Sequence, residues 1–192
     1  MNFLKKLIFL FFSILSFSTT ARAQQHVERK GFIFGAAAGI SPVKLSSPSV
    51  SDKKQVGFSV PNFKVGGMVS PRLALVLYLP GTVYTQKWSG RTRDRGFEGI
   101  VPSAQFWATD RFWVLGGAGL GMDAPAFYDI KNASERKFYF GGAVLASAGF
   151  EIFQRRTFAV DVQGRVHFGT AKIHEETMKN MAVSLLLGIN FY

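Results

Sequence analysis

The sequence predicts an all-β protein, an eight-stranded antiparallel up-and-down transmembrane β-barrel. Three observations lead there. Apolar stretches of roughly ten residues recur along most of the 192-residue chain and are separated by polar breaks. The breaks alternate between short and long. Inside the stretches apolar and polar residues alternate, so one face of each strand is apolar. The composition agrees: 20 Phe and 20 Gly stand in a chain that is only 18% charged. That is too apolar for a disordered chain. With no Cys, a disulfide scaffold, a Cys-ligated zinc or iron–sulfur site, a catalytic thiol and a lipid-modified Cys are all excluded.

Residues 1–23 are expected to be a cleaved signal peptide. Lys5 and Lys6 make a basic start, Leu7–Phe17 is apolar, and Ala21-Arg22-Ala23 is a small-x-small cleavage site. A membrane-spanning helix would need about 20 apolar residues, and this run is shorter. Removing the leader takes away Lys5, Lys6 and Arg22, leaving 20 basic against 12 acidic residues, a formal charge of +8. Residues 24–192 are then the barrel domain. An exported chain that crosses a bilayer with strands is expected in the outer membrane of a Gram-negative bacterium.

The strands follow in order. The first, Lys30–Ile40, sets Gly31, Gly35 and Gly39 on one face. After the polar break Ser41–Gln55, the second runs Val56–Val69 and ends at Ser70-Pro71. The third, Arg72–Tyr84, puts a Leu at every odd position from Leu73 to Leu79, opposite Arg72, Ala74, Val76 and Tyr78. A second long break, Thr85–Gly96, precedes Phe97–Thr109, and a tight turn at Asp110 leads into Arg111–Gly121. The third long break is Met122–Glu135, before the sixth strand Arg136–Phe153. Gln154-Arg155-Arg156 turns into Thr157–Gly169, where Phe158, Val160, Val162, Gly164, Val166 and Phe168 oppose Ala159, Asp161, Gln163, Arg165 and His167. Thr170–Met178 is the last long break. In the final strand, Lys179–Tyr192, one face carries Met181, Val183, Leu185, Leu187, Ile189 and Phe191.

Short turns are expected on the periplasmic side with both termini, and the long breaks as external loops. Strands of about 9–11 residues suit a tilted membrane wall better than the ordinary 5–6. Small residues on the opposite face, including Gly66, Gly141 and Ala143, suit the tight lumen of an eight-stranded barrel. Aromatics are expected in two girdles. Phe106, Trp107, Phe112, Trp113, Phe150, Phe153, Phe158, Phe191 and Tyr192 would form the periplasmic one; Tyr84, Trp88, Phe97, Phe138, Phe140 and Phe168 the external one.

Three blocks carry a family resemblance. Gly66-Gly67-Met68-Val69-Ser70-Pro71-Arg72-Leu73-Ala74-Leu75, Ala108-Thr109-Asp110-Arg111-Phe112-Trp113 and Leu115-Gly116-Gly117-Ala118-Gly119-Leu120-Gly121 resemble small eight-stranded outer-membrane β-barrel domain proteins. The resemblance spans the mature chain, and it implies a fold more than an activity. It also implies contact with outer-membrane lipid and with the barrel-assembly machinery, which reads a terminal outward aromatic. Here the apolar face ends at Phe191, with Tyr192 one place out of phase.

The inward-facing polar set is Lys64, Arg72, Gln105, Tyr139, Glu151, Asp161, Gln163, Arg165 and His167. Isolated buried charge costs several kcal/mol, so these groups must be paired or solvated. Two readings stand: a network that plugs the barrel and fixes its register, or a narrow polar path with a small ligand site. No cofactor and no metal are expected, because His26, His167 and His174 lack metal-ligand spacing, apart from His174 beside Glu175 and Glu176.

Catalysis would centre on His167. Arg165-Val166-His167-Phe168-Gly169 resembles the strand of outer-membrane lipid A deacylases, which places a Ser two residues after the His. Gly169 stands there and Thr170 falls on the other face, so no enzyme is expected. The external loops are basic, with Lys87, Arg91, Arg93 and Arg95 in the second. They would meet lipopolysaccharide phosphates or form an ordinary solvated surface. Nucleic acid is not an expected partner, since the charge flanks apolar strands in an exported chain. The expected function is a non-enzymatic integral outer-membrane barrel with a structural or surface-interaction role. The alternatives are a lipid A-modifying barrel esterase and a soluble periplasmic ligand-binding barrel of inverse polarity.

Overall fold

The computed structural model describes residues 27–47, 50–88, 91–126, 137–173 and 176–192; the side chains of residues 47, 50–53, 61, 86–88, 91–93, 173 and 176 lie outside that description. Its strands are β1 (Phe32–Ser47), β2 (Val50–Ser70), β3 (Leu73–Leu79), β4 (Gly81–Trp88), β5 (Arg91–Trp107), β6 (Phe112–Pro125), β7 (Tyr139–Gln154), β8 (Phe158–Ile173) and β9 (Glu176–Phe191). Neighbours pair antiparallel, and β1 pairs with both β2 and β9. The sheet is therefore closed and has no free edge, as a wall in lipid requires.

The closed ring has eight positions, because β3 and β4 both lie between β2 and β5. The third strand, expected to run unbroken from Arg72 to Tyr84, is interrupted at Pro80, which has no N–H to give the ladder. Asn62 repairs the gap by accepting the Gly81 N–H at 3.0 Å, while Ser59 Oγ donates to the Gly81 carbonyl.

The long breaks also differ from expectation. Strand pairing continues to Ser47↔Val50, Trp88↔Arg91 and Ile173↔Glu176. Three of the four polar breaks are therefore largely hairpin, and β7 starts at Tyr139 rather than Arg136. A hairpin standing in water needs no apolar face, so polarity marks where the apolar wall stops and not where pairing stops.

Alternation assigns the two faces. In β3, Ala74, Val76 and Tyr78 are buried, while Leu75 is 57% exposed. On β9 the outward row runs from Met181 to Phe191, on β8 from Phe158 to Phe168, and on β1 from Phe32 to Pro42. Each row is ten residue steps long. At about 3.3 Å per step and a tilt of about 40°, ten steps give a belt about 25 Å tall. Its lower edge carries a ladder of outward rings. Phe63–Phe34, Phe34–Phe191, Phe191–Phe158 and Phe158–Phe153 have centroids 6.2, 6.5, 6.1 and 5.9 Å apart.

Four girdle aromatics are misplaced by the sequence reading. Trp107, Trp113, Tyr84 and Phe97 are fully buried in the lumen, and Tyr192 is half-turned inward over Trp107. They share the parity of buried polar neighbours such as Gln105, and a narrow lumen needs large side chains as filler. Inward glycines make room for them: a Cβ on Gly149 would meet the Trp113 indole, whose Nε1 donates to Asp161 at 3.0 Å. Gly149→Val is expected to cost about 3 kcal/mol through overpacking and loss of that hydrogen bond. Gly164, which faces outward into open space, serves as control: with both variants compared by urea titration, Gly164→Ala is expected to shift stability by less than about 0.5 kcal/mol.

Candidate functional site

The lumen is built in layers, beginning at the end that holds the short turns. Gly31 has φ +71°, a left-handed conformation open to glycine, and it turns Val27–Lys30 under the mouth of the barrel. Val27 and Arg29 are buried there. Glu151 is the hub of this layer. It accepts Arg29 Nη2 at 2.8 Å, Trp107 Nε1 at 2.8 Å, Tyr192 Oη at 2.7 Å and Gln154 Nε2 at 2.7 Å. Arg29 also lies 4.9 Å from the Trp107 ring centroid and donates to the Asp110 carbonyl. Just outside the mouth, exposed Glu28 accepts a hydrogen bond from Lys30. That bond and the Lys30 and Arg156 cations hold its carboxyl below the usual range.

Above this, Asp161 accepts Trp113 Nε1 at 3.0 Å, Asn190 Nδ2 at 2.8 Å and Gln163 Nε2 at 2.7 Å. Lys64 donates to Gln105 Oε1 at 2.7 Å, with its ammonium 4.6 Å from the Trp113 ring. The next layer is the Arg165 guanidinium, which donates to Asn62, Ser59, Ser184 and Tyr78. The gap among Gly35, Asn62, Lys64, Tyr78, Gln163 and Asn190 holds no space for a water molecule. Higher still, the His167 ring stacks on Phe97 with centroids 4.2 Å apart and planes 9° apart. At the top Asp123 pairs with Arg95 and accepts the Tyr84 hydroxyl.

The structure thus gathers Lys64, Gln105, Glu151, Asp161, Gln163, Arg165 and His167 into one buried column. Arg72 is not part of it. It sits exposed in the turn between β2 and β3, where alternation no longer assigns a face, and takes part through its carbonyl, which accepts the Trp107 N–H. In the second external hairpin, the side chains of Lys87, Arg91 and Arg93 lie outside the described residues. Arg95 is turned inward onto Asp123 and away from a lipid-facing position.

His26, His174 and the third loop (127–136) also lie outside the described residues, as does residue 175. Sequence reasoning missed Arg29, Asn62, Ser59, Tyr84 and Asp123. For Tyr84 and Asp123 the signal was parity continued past the apolar stretch; for Arg29 there was none, because it precedes the first strand.

What can this column do chemically? Its end charges are paired, at Arg29–Glu151 and Arg95–Asp123. Its central cations are held by neutral oxygens and a ring face. Neither ring nitrogen of His167 has a hydrogen-bond partner among the described residues, and the Cβ position of Gly169 is filled by the Phe97 ring edge at 2.6 Å. Thr170, on the other face, is bonded to the Gly142 N–H. Among the described residues no group of three His, Asp or Glu could hold a metal ion. The arrangement locks strands together across the lumen.

A closed eight-membered ring of antiparallel strands, apolar outside and polar within, defines the small outer-membrane β-barrel fold. Comparison with solved structures gives the same fold. Neisserial surface protein A (NspA) superposes with a TM-score of 0.56 at 20% identity, over 84% of this chain and 96% of its own. Ail, the attachment invasion locus protein of Yersinia pestis, superposes with a TM-score of 0.52 at 14% identity, over 84% of this chain and 98% of its own. No protein-family model matches the sequence, and no curated protein matches it significantly.

Proposed function

We propose that the chain is an exported, non-enzymatic integral outer-membrane barrel with a structural or surface-interaction role, its leader 1–23 removed on export. The belt carries this reading. A ring of exposed Phe, Leu and Val about 25 Å tall has no reason to persist in water, where contiguous apolar surface of that size invites aggregation. A soluble barrel of inverse polarity would need its apolar row to face a cavity, yet Leu75, Leu185 and Leu187 point outward. The packed lumen supports a plug in preference to a ligand path, and the Phe97 ring beside Gly169 supports a non-enzymatic role.

Two partners accompany the reading. The Phe ladder that includes Phe191 offers the barrel-assembly machinery a C-terminal aromatic. The outer end carries exposed Lys54, Lys137, Lys172 and Lys179, a basic rim suited to the phosphates of lipopolysaccharide.

The test is gel migration of the mature protein refolded in detergent, together with fractionation of the host. Unboiled protein is expected to stay folded in SDS, to shift on boiling and to fractionate with the outer membrane. Protein that is soluble without detergent and shows no shift would sink the reading.

A further inference from the structure

The end of the barrel that holds the short turns is rimmed by cations. Lys30 stands just before β1, Arg72 between β2 and β3, Arg111 between β5 and β6, and Arg155 and Arg156 between β7 and β8. Four are exposed and Arg111 is half-buried. Their main chain is pinned. The carbonyls of Arg72, Arg111 and Arg156 accept the N–H groups of Trp107, Glu151 and Glu28 at 2.9, 2.9 and 3.2 Å. The side chains are spared this work. Among the described residues, the hydrogen bonds of Arg72 and Arg111 run through their main-chain atoms, the two N–H groups donating to Ser70 Oγ and Thr109 Oγ1. Arg155 lays its guanidinium over the Phe153 ring, 5.5 Å from the centroid, a contact that uses the face of the group and not its N–H edge.

Charge at this rim is unbalanced. Outside the lumen, the side-chain carboxylates described here are Glu28 and Asp110. Glu28 is shared by Lys30 at 2.8 Å and Arg156 at 3.8 Å, so those two cations are partly compensated. Even with Asp110 set against them, Arg72, Arg111 and Arg155 leave an excess of positive charge.

Height identifies the partner. Each cation lies within two residues of an apolar side chain that ends its strand: Lys30 of Phe32, Arg72 of Leu73, Arg111 of Phe112, Arg155 of Phe153 and Arg156 of Phe158. Two residues of chain span at most about 7 Å. The headgroup layer of one leaflet is about 5–8 Å deep, which puts these cations at the level of lipid phosphates. Residue type agrees. The exposed cations described at the opposite end, Lys54, Lys137, Lys172 and Lys179, are all lysines, whereas this rim is mostly arginine. A guanidinium presents a planar fork that takes two phosphate oxygens at once.

We propose that Arg72, Arg111 and Arg155 hold the phosphates of anionic phospholipids in the leaflet that faces the periplasm. Lys30 and Arg156 add to the positive field while sharing Glu28. This rests on the outer-membrane reading and deepens it, because it gives the inner leaflet a partner of its own at the short turns. Phosphatidylglycerol meets the excess charge with a net negative headgroup. Phosphatidylethanolamine brings its own ammonium, which the arginines repel.

The experiment uses the full refolded barrel in detergent, with lipid binding followed by native mass spectrometry. The probes are phosphatidylglycerol, phosphatidylethanolamine and soluble glycerol phosphate. Wild type is expected to bind phosphatidylglycerol more tightly than phosphatidylethanolamine, and glycerol phosphate is not expected to displace it. Arg72→Gln/Arg111→Gln/Arg155→Gln is expected to weaken phosphatidylglycerol binding about fivefold, one basic side chain being lost for each lipid held. Lys137→Gln/Lys172→Gln/Lys179→Gln removes the same charge from the opposite end, more than a screening length away, and is expected to weaken it less than about twofold.

Equal binding of the two lipids by wild type, displacement by glycerol phosphate, or a loss no larger in the arginine variant than in the lysine variant would overturn the proposal. Each sample is also run unboiled and boiled. If the triple arginine variant alone loses its heat shift, the three single Arg→Gln variants replace it, each expected to retain one phosphatidylglycerol fewer than wild type. A missing shift in wild type counts against the outer-membrane reading itself; an intact shift with no lipid preference counts against this rim alone.

Discussion

Glu151→Ala is expected to destabilise the barrel by about 3–5 kcal/mol, because it strands a buried cation. Arg29 is almost fully enclosed, and Glu151 is its carboxylate partner at 2.8 Å. The same carboxylate also accepts Trp107 Nε1, Tyr192 Oη and Gln154 Nε2, so truncation leaves three further donors to find water in a closed space. Glu151→Gln tests the charge separately. The amide keeps the shape but presents an N–H to a site where every neighbour is a donor, so most of the loss is expected to remain.

The measurement is a urea titration of tryptophan fluorescence in lipid vesicles, where Trp107 reports directly on this layer. A second readout follows from Gly31. With Arg29 released, Val27–Lys30 is expected to leave the mouth, and cleavage after Arg29 or Lys30 by trypsin should become fast while the rest of the barrel stays protected. A loss below about 1 kcal/mol would mean that water already solvates the pair.

The fold was legible in the sequence because a barrel wall repeats one physical demand. Each strand must present one face to hydrocarbon, and period two then shows in every apolar stretch, from Leu73–Leu79 to Met181–Phe191. The lumen was legible wherever that parity held: Lys64, Glu151, Asp161, Gln163, Arg165 and His167 were read from alternation alone. Parity failed at turns, so Arg72 was assigned a face it does not have. It was also abandoned too early where the wall leaves the membrane. Ser41, Val43 and Leu45 continue inward beyond Ile40, and Asp123 meets Tyr84 across the same lumen, yet the segments Ser41–Gln55 and Met122–Glu135 read as loops because they are polar, and Tyr84, at the end of its strand, read as a girdle aromatic.

Tryptophan was misjudged for a different reason. An aromatic near a strand end satisfies an interface rule and a packing rule equally well. Only the facing residues decide, and those become visible once Gly149 is seen to lie against Trp113. The Pro80 interruption was present in the sequence as a residue without an N–H. Its repair was not, because Asn62 and Ser59 come from a neighbouring strand and are held in turn by Arg165 from across the lumen.

These distinctions meet in one substitution. Leu185 is 57% exposed in the middle of the β9 row. On a protein in water, Leu185→Arg at such a site would change stability by less than about 0.5 kcal/mol. On a wall in lipid the same change is expected to cost about 2–4 kcal/mol near the bilayer midplane, with the penalty falling towards the interfaces. Val56 supplies the reference: it is 77% exposed and points outward from the part of β2 that pairs with Pro42, at the belt's upper edge. Val56→Arg is therefore expected to cost less than about 1 kcal/mol in the same vesicles. The contrast between the two positions, measured by urea titration, is the quantity that matters, since lumen packing is untouched in both. A large cost at Leu185 with little at Val56 requires an apolar medium around the middle of the wall and water around its top. Equal, small costs at both would mean that the belt faces something other than hydrocarbon.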